Sequence, residues 1–337
     1  MTHCRDRLPG QTAGTGCRRG GASIPPARHG SPAPRTLRRS QPGRPSYAVG
    51  LYHDRGARDG DTARLPRPLP TTIVYEIGYR VTDVPKLAAS SVSCRFGDVL
   101  AVDDVSLTVD RGEFVSIVGP SGCGKSTLFN VISGLQRPTT GGIAIDGVDV
   151  TGETGHVGYM LQKDLLLPWR TVIGNIVLGA SLTRGATRND RAEAARLASR
   201  YGLGQFLNHY PHALSGGMRQ RVAFMRTLAL GQDVLLLDEP FGALDSQTRL
   251  DMQMWLLSVC RDLNATILFV THDVDEAIFL ADRVIVMSAR PGRIARELPV
   301  GLPRPRTVDT LTTVMFIDIK REVQAALGHA EAGRSAR

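Results

Sequence analysis

The sequence predicts an α/β fold with a mainly parallel sheet, on three observations. One is the glycine-rich loop Gly119-Pro120-Ser121-Gly122-Cys123-Gly124-Lys125-Ser126-Thr127. An apolar, β-branched stretch from Glu113 to Val118 precedes it, and a helical pattern from Ser126 to Ser133 follows and ends near Gly134. Strand, glycine loop and helix in that order is the setting that the phosphate-binding pattern G-x-x-x-x-G-K-[ST] requires. Another is the continuous apolar run Val234-Leu235-Leu236-Leu237, as in a parallel strand covered on both faces. The third is the alternation after it: helix over 246–262, strand over 266–271, helix over 273–281 and strand over 282–288.

The remaining elements follow in order. Ser91–Phe96 and Val105–Val109 alternate like half-buried strands and predict an antiparallel β part ahead of the parallel sheet. Asp110-Arg111-Gly112 is a turn, and Gly142–Gly147 is a strand running into another turn. His156–Leu161 is strand-like and ends at Gln162. Strand character then disappears from 173 to 230. Arg191–Tyr201 and Gly216–Leu230 have helical spacing, which predicts a helical subdomain over about 163–230. Pro303 to Arg306 is rich in proline and arginine, and an amphipathic helix over 308–328 closes the chain. No motif is repeated.

The 337-residue chain is 42% hydrophobic, enough for a sizeable core. No run approaches 18 apolar residues, so no transmembrane helix is expected, and the basic N-terminus lacks the apolar stretch of a secretory signal. Five scattered cysteines without a CxxC argue against a zinc site or a disulfide framework and suit a reducing cytosol. The net charge of +9 resides in residues 1–70, which hold 13 arginines and 4 aspartates. The rest of the chain is neutral, so no nucleic-acid partner is expected. Residues 1–70 also contain 10 Pro and 10 Gly with little apolar periodicity. They read as a disordered tail that cannot bury enough surface to offset its ordering entropy. Such a tail suits a membrane surface or nucleic acid, but the composition favours an over-long gene model. Met160 is the first methionine after Met1, so the true start in that case would be a non-ATG codon. Residues 71–87 are transitional. The domain proper is expected over 88–300, with a C-terminal extension over 301–337.

The chemistry-bearing residues converge on a triphosphate. Glycines let the loop backbone approach a polyphosphate, and the helix start adds partial positive charge. Lys125 would reach the β- and γ-phosphates, and the Ser126 hydroxyl would ligate Mg²⁺. Cys123 reads as a small spacer. Asp238, at the end of the apolar run, is placed to hold Mg²⁺, and Glu239 is the candidate to activate a water. Leu214-Ser215-Gly216-Gly217-Met218-Arg219-Gln220-Arg221 starts a second helix. Ser215 reads as its N-cap, and the glycines expose its first-turn N–H groups as another anion site.

From about Leu87 to Gly292 these motifs resemble the ATP-binding cassette (ABC) ATPases. Gly119–Thr127 resembles Walker A, Gln162 the Q-loop glutamine, and Leu214–Gln220 the family signature with its Gln. Val234–Glu239 resembles Walker B, Ala243-Leu244-Asp245 the D-loop, and Thr271-His272-Asp273 contains the switch histidine. Phe96 falls where the family stacks an aromatic on adenine. The resemblance implies that two cassettes pair head to tail and sandwich ATP between Walker A of one and Ser215–Gly217 of the other. It implies that His272 contacts the γ-phosphate, that Gln162 senses Mg²⁺ or water, and that Asp245 acts across the interface. A lone subunit would hydrolyse poorly.

After Gln162, Leu165-Leu166-Leu167-Pro168-Trp169-Arg170-Thr171-Val172-Ile173-Gly174-Asn175 is similar to a segment of importer ATPases of the nitrate, sulfonate and taurine group. Leu302–Arg306 is similar too. That likeness implies transmembrane permease subunits, a separate solute-binding protein, and a peripheral place on the cytoplasmic face of the membrane. The stretch after His272 is too short for the regulatory barrel of sugar-importer ATPases. A non-transport ABC ATPase of translation or DNA repair is the alternative. Such proteins carry two cassettes, a coiled-coil insertion or zinc cysteines, and none of these is visible in the sequence.

Overall fold

The computed structural model describes residues 84–332, so the reading for 1–70 and all but the last four residues of the 71–87 stretch lie outside it. β1 (Leu87–Phe96) and β2 (Val99–Val109) form an antiparallel hairpin, longer than their alternating cores predict. β3 (Phe114–Val118) leads through the glycine loop into α1 (Lys125–Ile132). β4 (Thr140–Ile145) and β5 (Val148–Asp149) complete a four-stranded antiparallel sheet in the order β2-β1-β4-β5. β6 (Gly158–Met160) follows.

The helical subdomain holds α2 (Val172–Ile176), α3 (Leu178–Thr183), α4 (Arg188–Arg200) and α5 (Gly216–Leu228). Local chemistry starts α4. Thr187 accepts from the Asp190 N–H at 3.2 Å, and the Asp190 carboxylate accepts from the Thr187 N–H at 2.8 Å, a reciprocal capping box. β7 (Val234–Asp238), α6 (Ser246–Leu263), β8 (Thr266–Val270), α7 (Val274–Leu280) and β9 (Arg283–Met287) then alternate as expected.

The second sheet has the order β10-β9-β3-β8-β7-β6, where β10 is Ile294–Pro299. It is parallel except for β10, which joins β9 antiparallel. The sequence reading missed β10. As an edge strand its residues are mostly exposed, so it lacks an apolar signature.

Alternation within the buried strands divides the core in two. Val115, Ile117, Leu236, Leu268 and Ile285 pack toward α1 and the antiparallel sheet. Phe114, Val118, Leu235, Leu237 and Phe269 pack on the other face, toward the helices. With both faces covered, every residue of β7 and β8 is buried.

The single helix expected over 308–328 is two elements. A short 3-10 turn covers Val308–Thr312, and α8 covers Val314–Ala332. The Thr313 hydroxyl accepts from the Phe316 N–H at 3.3 Å and restarts the helix. The Pro/Arg segment straps the end of α7. Buried Arg306 donates to the carbonyls of Ile278, Phe279 and Ala281 at 3.2, 3.0 and 2.7 Å. These carbonyls at the helix end need external donors.

Candidate active site

Four neighbouring strands, β3, β8, β7 and β6, run parallel and end at one edge of the sheet. In open α/β sheets ligands sit outside the carboxyl ends of the strands. Here β3 delivers the glycine loop, β8 delivers His272, β7 delivers Asp238 and Glu239, and β6 delivers Gln162. Residues far apart in sequence therefore share one site because the sheet is parallel.

Backbone contacts shape the loop. A Cβ on Gly119 would meet the Met287 carbonyl at 2.9 Å. Gly124 has φ +113°, and a Cβ there would lie 2.7 Å from the Ala101 carbonyl. Any other residue at Gly124 would be strained and would push the loop off β2. Pro120, Ser121 and Gly122 form the rim, with Ser121 and Gly122 exposed. Cys123 is buried in the core, in keeping with its reading as a spacer. Lys125 is 6% exposed and opens α1, and its ammonium donates to the carbonyls of Gly119 at 2.7 Å and Pro120 at 3.1 Å. Ser126 is exposed and Thr127 half-buried.

Asp238 is buried, and the Tyr159 hydroxyl donates to it at 3.3 Å. Burial pushes its carboxyl up from the ordinary carboxylate range; hydrogen bonding to Ser126 opposes this, and the neighbouring Glu239 charge adds to it. The Lys125 charge offsets part of this, and a bound divalent cation would add further counter-charge. Ser126, Asp238 and Gln162 offer the hard oxygen donors that suit Mg²⁺. Among the described residues no cluster of three His, Cys, Asp or Glu side chains could hold a metal alone. Mg²⁺ would need phosphate oxygens to complete its shell, as is usual for that ion.

Glu239 takes a left-handed conformation, φ 44°, immediately after β7. Strain of this kind costs about 1–3 kcal/mol and persists where surrounding structure enforces it. It turns the carboxylate toward two neighbours. Gln162 Nε2 donates to Glu239 Oε2 at 3.1 Å, and His272 Nδ1 lies 3.3 Å from the same oxygen. Gln162 and His272 are exposed, so this cluster faces outward from the sheet edge.

Other residues from the sequence reading distribute unevenly. Phe96 ends β1 and is 48% exposed, leaving an aromatic face available for stacking. Ser215 caps α5 and accepts from the Met218 N–H at 3.3 Å. Gly217 is buried, and a Cβ there would meet Thr248 Cγ2 at 2.9 Å. Among the described residues no hydrogen bond joins Ser215–Gly217 to the glycine loop of the same chain. Asp245 is exposed and caps α6, accepting from the Thr248 N–H at 3.1 Å. Gln220 is 5% exposed, on the inner face of α5 one turn past the two glycines, where it lines a small cavity with Met160, Phe224, Leu237 and Phe241.

Sequence reasoning missed Tyr159, whose hydroxyl bridges Asp238 and Asn130 at 3.3 and 3.4 Å. The only signal was a polar aromatic within the strand that ends at Gln162. It also missed how α5 holds the segment after Gln162. Arg226 donates to the carbonyls of Asp164 and Leu165 at 2.7 and 2.8 Å, and Arg219 reaches the Asp164 carboxylate at 3.2 Å.

The ABC transporter family model matches residues 102–242. An uncharacterized ABC transporter ATP-binding protein of Methanocaldococcus jannaschii is 44% identical over 226 residues, covering 67% of this chain and 83% of that protein. The chain belongs to the ABC transporter family. It is the ATP-binding subunit of an ABC transporter and an ATPase. A taurine import ATP-binding protein of Yersinia pestis is 44% identical over 201 residues, covering 60% of this chain and 79% of the relative. A bacterial ABC transporter cassette solved as a dimer is 32% identical with TM-score 0.56, covering 64% of this chain and all of the cassette. The same cassette is known in a dimeric post-hydrolysis state bound to ADP and Pi, with TM-score 0.54.

Proposed function

We propose that this ABC subunit powers import of a small solute such as nitrate, a sulfonate or taurine. One observation carries the reading. Trp169 is 71% exposed and Leu165 51% exposed, in the segment that begins at Gln162. Large apolar side chains left in water beside a catalytic loop are what a docking surface needs. Leu166 is buried in the core and holds the loop in place. The taurine-import relative supports the same direction. The partners are transmembrane permease subunits and, across the membrane, a separate solute-binding protein. The subunit would sit on the cytoplasmic face of the membrane. Among the described residues no helix is long and apolar enough to cross it.

In this reading two copies pair head to tail; that the related cassette is dimeric supports the pairing. The Gly119–Thr127 backbone and Lys125 hold the ATP phosphates of one copy, and Phe96 stacks on the base. Ser215, Gly216 and Gly217 of the other copy close the site, with Asp245 at the shared interface. Ser126, Asp238 and Gln162 would hold Mg²⁺, which when bound neutralises phosphate charge and orients the γ-phosphate. Glu239 accepts the proton of the attacking water as general base. His272 donates to the γ-phosphate and keeps the water in line. Gln162, joined to Glu239 and continuous with the exposed apolar loop, reports the state of the site to the permease.

The test is a pull-down from detergent-solubilised membranes with the Glu239→Gln protein and ATP, partners being identified by mass spectrometry. A polytopic membrane subunit in the eluate supports the importer reading. Ribosomal proteins or DNA-repair factors without a membrane partner would overturn it and favour the non-transport alternative.

A further inference from the structure

Beside the Glu239–His272 pair lies a narrow cleft whose wall includes Arg249, Thr271, Asp273 and Glu276. Arg249 stands one turn into α6, and its N–H bonds the carbonyl of the helix cap Asp245 at 2.9 Å. Its guanidinium forks. One nitrogen donates to the Leu244 carbonyl at 3.0 Å, and the other reaches the Asp273 carboxylate at 3.5 Å. The Nε between them is buried with no partner among the described residues. The first arm grips the segment Ala243–Asp245, and the second grips the residue immediately after His272. A planar fork sets the relative placement of two groups in a way a flexible ammonium cannot.

The far side of the cleft is braced. Asp273 uses its other oxygen to accept from the N–H groups of Asp275 and Glu276 at 2.9 and 3.2 Å, starting α7. The Thr271 hydroxyl donates to buried Glu276, which also accepts from Gln253 Nε2 at 3.0 Å. His272 thus sits between two residues that are both anchored, and the anchor on Asp273 extends through Arg249 to the Ala243–Asp245 loop.

We propose that Arg249 is a positioning residue that transmits the placement of Ala243–Asp245 to the His272 turn and so sets His272 against Glu239. The inference rests on the paired-cassette reading above, in which that loop meets the second copy. On this account pairing does more than supply Ser215–Gly217. Contact at Asp245 also fixes the switch histidine of the same chain. The Arg249–Asp273 pair is partly exposed, 29% and 35% for the two side chains, so its loss should leave the fold intact.

The experiment uses the full chain as wild type, Arg249→Gln and Arg249→Lys, each also in a Glu239→Gln background. Steady-state ATPase gives kcat and KM, light scattering of the Glu239→Gln forms with ATP and Mg²⁺ gives pairing, and thermal melts report folding. Arg249→Gln is expected to lower kcat by about tenfold or more, with KM, pairing and melting temperature close to wild type. Arg249→Lys should recover part of kcat, because an ammonium can meet one of the two acceptors at a time. A kcat within about twofold of wild type would overturn the proposal. So would a fall in kcat matched by equal loss of pairing or melting temperature, since Arg249 would then be only a structural tie. Failure of the Glu239→Gln protein with Arg249 intact to pair would sink the paired-cassette reading itself.

Discussion

The carboxylate of Glu239 lies 3.3 Å from Nδ1 of His272, across the gap between the ends of β7 and β8. In the mechanism proposed above, this contact lets the two side chains act as a unit on one water. His272→Ala should therefore lower kcat by about a hundredfold, within the usual range for loss of a positioned proton-transfer or orienting group. ATP binding should change little, since Lys125 and the loop backbone are untouched. Steady-state ATPase assays together with equilibrium binding of a fluorescent ATP analogue check both halves.

Trp169 contributes little to the fold. Replacing a side chain that is 71% exposed should leave stability within about 0.5 kcal/mol of wild type. Trp169→Ala should also retain basal hydrolysis. What it should lose is co-purification with the membrane subunit, measured by pull-down. An unchanged complex would remove Trp169 from the docking surface.

Glu276 links stability to pH. Burial pushes its carboxyl up, against the hydrogen bonds from Thr271 and Gln253. A carboxyl raised in the folded state contributes stability that is full below its unfolded pKa and is lost as pH rises through the folded value. Glu276→Gln keeps the shape and removes the charge. Its melting temperature should fall less than that of wild type as pH rises from about 5 to 8. Parallel curves for the two proteins would contradict this.

Arg306 should matter far more to stability than its place in the C-terminal extension suggests. It is 3% exposed and satisfies three carbonyls at the end of α7. Burial pushes its guanidinium down to about 10. Arg306→Ala would leave those carbonyls unpaired in the interior, at about 1–3 kcal/mol each before relaxation. A loss of about 2–4 kcal/mol in denaturant unfolding is expected.

Most of the site was legible because its residues are tied to strand ends. Asp238 ends an apolar run that reads as a strand, Gly119–Thr127, Glu239, Gln162 and His272 come at or just past the ends of such runs, and a parallel sheet places those ends together. The burial of Gln220 was not legible, because motif spacing does not say which face of a helix a residue takes; helical twist puts it inward, on the cavity it shares with Phe224 and Met160. Tyr159 and Arg249 were invisible for a different reason. Their roles depend on tertiary approach, to Asp238 and Asp273, that no local pattern encodes. The edge strand β10 and the break at Thr313 were missed because exposed or polar residues blur periodicity.

The central claim is that Glu239 activates water in an ATP site shared by two copies. Its most direct test is light scattering of the Glu239→Gln protein with ATP and Mg²⁺, alongside ATPase assays. The account predicts an ATP-dependent dimer and turnover lowered by about a hundredfold or more. A protein that stays monomeric with ATP, or that hydrolyses it at the wild-type rate, would contradict the claim.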